Sequence, residues 1–240
     1  MSNKIYPFKF LDSYTAEDKD LFFGRDEEIR QLYQMIYQSD TLLLYGASGT
    51  GKTSLIQCGL ASQFQKHDWL DVFVRRHKNI NESLNKALLA VGGEGKTSTS
   101  KTQNLDWLDE LMGKESSITS NKKQSPTQRY LKNIYLRHFR PIYLIFDQFE
   151  ELFILGTEEE QQQFINTVKE ILQVEQPVKL IFSIREEYLG SLYEFEKAIP
   201  ELLHKKLRID PMNLEKAKAV VLGATQSNKS IVHILSLIHI

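Results

Sequence analysis

The chain has 240 residues, 41% hydrophobic and 25% charged. That balance excludes a disordered chain and leaves room for one large α/β domain, or one domain with a fragment of a second. With 30 basic and 31 acidic residues the net charge is -1, so the chain as a whole is not built for nucleic acid or an anionic membrane. The densest local basic stretch is Arg75-Arg76-His77-Lys78.

A lone cysteine, Cys58, rules out an internal disulfide and fits a reducing cytoplasm. It is read as a small buried apolar residue, and the six histidines show no metal-ligand spacing with it. The stretch Met1–Pro7 lacks the apolar core of a signal peptide. No apolar run is long enough to span a membrane.

Residues 1–22 read as a lead-in, aromatic-rich and without a firm period, lying against the domain that follows. Gly24 breaks the chain, and Asp26 is the expected N-cap of a helix with acids in its first turn. Ile29, Leu32, Tyr33 and Ile36 then recur at helical spacing. Thr41–Tyr45 is a short buried strand and Ser54–Leu60 the start of a helix. Leu70–Val74 is the second strand, and Asn81 the expected cap of a helix whose face is Leu84, Leu88 and Val91. From about 92 to 127 the composition turns to Gly, Ser, Thr and Lys, a polar surface insertion carrying at most a short helix over Leu105–Met112.

Gln128–Phe139 is helical in pattern, and Ile142–Phe146 is an apolar run of the kind buried in parallel sheets. Glu158–Gln173 is a helix, Val178–Ile184 a strand, Tyr188–Lys197 a helix and Lys206–Ile209 a last strand ended by Pro211. A further helix starts at Asn213. Five buried strands alternating with helices predict a three-layer α/β domain over 23–211 with a mostly parallel five-stranded sheet, followed at 212–234 by the start of a small helical domain. The last six residues, Leu235–Ile240, are what the bases CTG TCT CTT ATA CAC ATC would encode, a transposase end used in preparing sequencing libraries. The natural chain is therefore expected to continue past 234.

The chain is organised around Gly46-Ala47-Ser48-Gly49-Thr50-Gly51-Lys52-Thr53, which fits G-x-x-x-x-G-K-[ST] between a strand and a helix. Glycines let successive backbone N–H groups turn inward around an anion, and the helix N-terminus adds its partial positive charge. Gly46 to Ser54 would cradle the phosphates of a nucleotide, with Lys52 on the β- and γ-phosphates and the Thr53 hydroxyl on Mg²⁺. A similar string, Gly93-Glu94-Gly95-Lys96-Thr97, fails because Ala90 stands where the first glycine is needed.

Turnover needs a metal ligand and a means of orienting water. Asp147 follows an apolar strand, where a carboxylate emerges at the sheet's C-terminal edge and is placed to hold Mg²⁺. Glu150 and Glu151, three and four residues on, are both candidates to polarise the attacking water. Arg185 follows the next strand at the same edge and is a candidate reader of the γ-phosphate. Asn121-Lys122-Lys123-Gln124 lacks the acid of a guanine-reading Asn-Lys-x-Asp element, so adenine, as ATP or ADP, is favoured by elimination.

Four stretches occur in order: Phe23-Gly24-Arg25-Asp26-Glu27-Glu28, the P-loop, Asp147-Gln148-Phe149-Glu150-Glu151-Leu152-Phe153, and Ile184-Arg185-Glu186-Glu187-Tyr188-Leu189-Gly190. Together, from about Phe10 to Ala224, they resemble the nucleotide-binding domain of STAND ATPases of the novel STAND class, relatives of NACHT and AAA ATPases. The acidic string, which resembles the extended acidic motif of NACHT ATPases, is the most specific part. The resemblance implies that Gly24 and Arg25 lie by the adenine and ribose, that Arg185 is a sensor arginine, and that Pro211 stacks near the adenine. It also implies a regulated switch that exchanges ADP for ATP on sensing a ligand, self-associates, and in some members serves antiphage defence or signalling. The winged-helix segment, sensor repeats and effector domain of that pattern are missing from these 240 residues, so a fragment is expected.

The leading expectation is an ATP-binding, slowly hydrolysing switch module. A motor or initiator ATPase acting on nucleic acid would need a basic surface stripe, which the net charge does not favour. A non-catalytic scaffold is disfavoured by intact Lys52, Thr53 and Asp147, and a small-molecule kinase by the lack of any marked acceptor pocket.

Overall fold

In this computed structural model, Lys9 and residues 12–92 and 124–226 are described. The five strands are β1 (Thr41–Gly46), β2 (Leu70–Val74), β3 (Ile142–Phe146), β4 (Val178–Arg185) and β5 (Lys206–Arg208). They form one sheet in the order β2-β3-β4-β1-β5, with every pairing parallel. Parallel strands need a crossover that returns the chain to the same edge, and helices supply it here.

The helices are α1 (Asp26–Ile36), which precedes β1, then α2 (opening as Lys52–Ser54), α3 (Ile80–Gly92), α4 (Pro126–His138), α5 (Glu151–Leu155), α6 (Glu158–Ile171) and α7 (Tyr193–Ala198) between strands, and α8 (Leu214–Gln226) after β5. After its first turn α2 widens into a π-helical stretch, Leu55–Leu60, and closes as 3-10 Ala61–Gln63.

Strand side chains alternate between two cores, which is why β1 and β3 read as near-continuous apolar runs, whereas the edge strands β2 and β5 carry exposed Asp71, Lys206 and Arg208. Leu43, Leu144, Phe146, Leu180 and Phe182 point to one face, where they meet Leu84, Leu131, Phe164 and Val168 from α3, α4 and α6. Leu42, Leu44, Ile145 and Ile181 point to the other, against Leu32 and Ile36 of α1 and Leu55, Ile56 and Leu60 of α2. The middle of the first core is aromatic: Phe146 stacks on Phe182 at 5.0 Å between centroids and meets Phe164 edge-on at 5.0 Å. Cys58 is buried, and desolvation pushes its thiol up to about 11. Among the described residues no helix is long and apolar enough to cross a membrane.

Several element ends differ from the sequence reading. Asp26 is the first helical residue of α1, with Arg25 at the N-cap. The cap of α3 is Asn79, whose Oδ1 accepts from the N–H groups of Asn81 and Glu82 at 2.9 and 3.1 Å. Asn81 is instead buried inside the helix. The insertion ends earlier than 127, because Ser125 caps α4, Pro126 takes its first position and Gln128 closes a capping box. The expected helix from Tyr188 begins as 3-10 turns at Glu186–Leu192. The second glycine-rich string, the helix expected at Leu105–Met112 and the final hexapeptide lie outside the described residues.

Because the rings of Phe149, Phe164 and Phe182 all lean on Phe146, truncating it to Ala should cost ~3–5 kcal/mol. Equilibrium denaturation of Phe146→Ala would show a midpoint shift of that size without loss of cooperativity.

Candidate functional site

The parallel register gathers the strand ends. Gly46, last of β1, pairs with Arg185, last of β4, and Phe146 of β3 pairs with Val74 of β2. The residues that follow β2 and β3, Arg75 and Asp147, thus emerge side by side, with Asp147 N–H bonded to the Val74 carbonyl at 3.0 Å. In open α/β sheets this carboxyl edge is where ligands bind.

The loop after β1 is tightly seated. A Cβ on Gly46 would collide with the Ile209 carbonyl, so only glycine lets the chain following β5 pass. Gly49 and Gly51 take left-handed φ of 76 and 87°, which turns the loop into the start of α2. Lys52 Nζ folds back onto the carbonyls of Gly46 and Ala47 at 2.8 and 2.9 Å. Burial pushes its ammonium below the ordinary value; Glu150 and Asp147 oppose this and Arg185 adds to it. An entering anion would offset that desolvation penalty with its charge. Ser54 faces the lead-in instead, its Oγ accepting Tyr14 N–H at 3.1 Å.

The Thr53 hydroxyl lies 2.9 and 3.1 Å from the two carboxylate oxygens of Asp147, which is 2% exposed. Arg75 donates to Asp147 Oδ2 through Nε and Nη2 at 3.1 and 2.7 Å. Gln148 adopts φ 55°, and the turn it makes sends Phe149 back into the core, Phe149 N–H bonding the Ser183 carbonyl at 2.8 Å. Glu150 then faces the edge, buried, with Oε1 2.9 Å from Arg185 Nε and Oε2 accepting Arg185 N–H at 3.2 Å. Ser48, Gly49, Lys52, Thr53, Asp147, Glu150 and Arg185 line a cleft of about 90 Å³, together with Gln148 and Ser183. That is well under the ~300–1,000 Å³ of a pocket enclosing a whole small molecule, and suits the phosphate end of a nucleotide. Glu151 is not among the lining residues.

Among the described residues no cluster of three His, Cys, Asp or Glu forms a ready-made metal cage. One hydroxyl and one buried carboxylate are the donor set of a Mg²⁺ held mainly by water and substrate phosphates, and Thr53 with Asp147 fits it.

The family model described as Novel STAND NTPase 1 matches residues 7–233. The chain belongs to this family. No curated protein matches the sequence. Solved structures share the fold at low identity. A Walker-type ATPase of Pyrococcus abyssi matches with a TM-score of 0.59 and 16% identity, over 92% of this chain and 62% of that one. The ORC2 protein of Aeropyrum pernix, in ADPNP–ADP complexes, matches with a TM-score of 0.59 and 14% identity, over 93% and 56%. The ORC1 protein of the same organism, in complex with DNA, matches with a TM-score of 0.54 and 16% identity, over 87% and 50%. The chain thus spans between 50% and 62% of the length of these structures. It is a nucleotide-binding P-loop NTPase of the novel STAND family.

In this NTPase the Phe23-Gly24-Arg25 turn is a joint between the loop and α8. Arg25 is 3% exposed; its Nη2 donates to the Thr50 carbonyl at 2.8 Å and its Nη1 to Glu28 Oε1 at 2.7 Å. The same Glu28 oxygen accepts Lys216 Nζ of α8 at 2.6 Å. A Cβ on Gly24 would stand 2.9 Å from the Lys216 carbonyl, and one on Gly223 would stand 2.6 Å from the Phe23 ring, so both glycines permit α8 to dock. Pro211 is exposed just before α8.

The densest basic stretch is divided by its partners. Arg76 is buried, held by both oxygens of Glu160 at 3.0 and 2.6 Å and by the Leu155 carbonyl at 3.0 Å. Arg75 is paired with Asp147, and His77 and Lys78 are exposed. Gln148 and Ser183 in the cleft, and Arg75 beside it on Asp147, were not anticipated. The signal available for Arg75 was the one used for Asp147 and Arg185: a charged residue directly after a buried strand.

Burial pushes the Glu28 carboxyl up, but hydrogen bonds from Lys216 and Arg25 outweigh it and hold the group below the usual 4.5. A carboxylate whose pKa falls on folding stabilises above its unfolded value and loses that contribution as pH drops through the folded one. Docking of α8 should therefore persist from neutrality to about pH 4.5 and weaken below it. Glu28→Gln should mimic the acid state at pH 7, raising amide exchange over 214–226 by about tenfold or more. Exchange measured by mass spectrometry checks this, and unchanged protection would refute the joint.

Proposed function

We propose that this domain binds ATP with Mg²⁺ at the Gly46–Thr53 loop and hydrolyses it slowly as a nucleotide-dependent switch in a larger signalling or defence protein. The observation that carries the reading is the convergence of Lys52, Thr53, Asp147, Glu150 and Arg185 on one cleft from three parallel strand ends. On this reading Lys52 leaves the loop carbonyls for the β- and γ-phosphates, and Gly46 to Ser54 present backbone N–H groups and the helix N-terminus to them. Bound metal would neutralise phosphate charge, held through Thr53 and Asp147.

Glu150 is the favoured water-activating base, since it lines the cleft and Glu151 does not. Its carboxylate is engaged by Arg185 at 2.9 Å. Activating water requires Arg185 to exchange that carboxylate for phosphate, which ties turnover to the γ-phosphate and keeps resting turnover low. The adenine and ribose are assigned to the neighbourhood of the Gly24–Arg25 turn and Pro211, just before α8. Nucleotide would then bias the docking of α8 through the Thr50–Arg25–Glu28–Lys216 chain of contacts. Self-association on activation and a cytoplasmic setting belong to the same proposal. Pairing of Arg75 with Asp147 and of Arg76 with Glu160 weighs against direct nucleic-acid contact at that basic stretch.

Lys52→Ala should weaken ATP binding by roughly a hundredfold or more, read by calorimetry; unchanged affinity would remove the phosphate role. Glu150→Gln should keep binding within a few-fold while phosphate release falls by about 10²–10⁴. Glu151→Gln run in parallel separates the two acids, because only the Glu150 variant should stop release.

A further inference from the structure

Asp147 is the most deeply placed carboxylate of the cleft, its side chain 1% exposed. A carboxylate so buried costs several kcal/mol, roughly, unless a charge and hydrogen bonds compensate it. Thr53 supplies a neutral hydroxyl, and the charge comes from Arg75, whose Nε and Nη2 both donate to Oδ2. Arg75 is delivered there by register, since β2 and β3 pair in parallel and Asp147 N–H is bonded to the Val74 carbonyl.

The two arginines after β2 are held differently. Arg76 is 8% exposed and fixed by both oxygens of Glu160 and the Leu155 carbonyl. Arg75 is 46% exposed and, among the described residues, bonds Asp147 alone. Its guanidinium can leave for water at little cost, whereas Asp147 has no such freedom.

We propose that Arg75 is an exchangeable counter-cation: it neutralises Asp147 while metal is absent and yields Oδ2 when Mg²⁺ arrives with nucleotide. This rests on the reading of Thr53 and Asp147 as the metal-holding pair. Arg75 then sets the Mg²⁺ concentration at which the site loads, so the domain discriminates metal-bound from metal-free nucleotide by competition at one oxygen. A fork of two N–H groups on a single carboxylate oxygen makes it a stronger competitor than a lysine would be.

The test is ADP binding to the full chain by calorimetry, in EDTA and across a Mg²⁺ series, for wild type, Arg75→Ala, Arg75→Lys and Asp147→Asn. Removing the competitor should lower the half-saturating Mg²⁺ about tenfold, equivalent to ~1.4 kcal/mol, without strengthening Mg²⁺-free ADP binding. Arg75→Lys, which keeps the charge and loses the fork, should fall between wild type and Arg75→Ala and serves if the alanine variant does not fold. In an Asp147→Asn background the Arg75 substitution should have no effect on metal dependence. Nucleotide binding with an unmoved or raised Mg²⁺ requirement in the Arg75 variants would overturn the counter-cation role and leave the nucleotide site standing. A wild type that binds no ADP with or without Mg²⁺ would overturn the nucleotide site itself, and this role with it.

Discussion

A carboxylate held away from water at the end of the central strands is the constraint around which the site is arranged. Asp147 is 2% exposed, and its two oxygens are satisfied by a hydroxyl from α2 and a guanidinium from the residue after β2. Three segments distant in sequence are thereby pinned to one point. The pin works only if β2, β3 and α2 arrive in register, which the two apolar cores on either face of the sheet enforce. A one-residue slip of β3 would turn Phe146 away from its core and carry Asp147 out of reach of both partners.

The inner strands were legible because burial on both faces leaves near-continuous apolar runs that need no knowledge of neighbours, and edge strand β2 because only Asp71 interrupts it. β2 and β3 begin and end where the sequence placed them. Helix starts were harder, since capping is decided by competing side chains within two or three residues. Asn79 and Asn81 carry the same amide, and only the backbone direction entering α3 selects the first. Pro126 reads locally as a breaker but sits where a helix tolerates proline best, its first position.

Within the site, spacing inside motifs was legible and pairing between them was not. Strand-end position singles out Arg75, but the partners of Arg75 and Arg76 lie 72 and 84 residues away and could not be read locally. The two therefore read as one basic stretch. Glu150 and Glu151 were likewise equivalent until Gln148, in a left-handed conformation, set the direction of the turn and placed Glu150 on the cleft. The acids of α1 read only as first-turn acids that suit a helix N-terminus, yet Glu28 is buried between Arg25 and Lys216.

These pairings have a common consequence for the proposed switch. Every charged group that would meet a metal-bound triphosphate is already matched within the chain: Lys52 by loop carbonyls, Asp147 by Arg75, Glu150 by Arg185. Nucleotide binding would then be an exchange of partners rather than the filling of bare charges. Each new contact is offset by a lost one, so the net affinity is smaller than the contacts alone suggest. What survives the cancellation is the difference between two arrangements, which is the quantity a ligand needs in order to shift an equilibrium. The Thr50–Arg25–Glu28–Lys216 contacts extend that logic to α8. Glu28 Oε2 is buried and has no hydrogen-bond partner among the described residues, which leaves the joint short of full satisfaction. A joint held on one oxygen, between a loop that changes partners and a helix that docks on two glycines, is suited to having two positions.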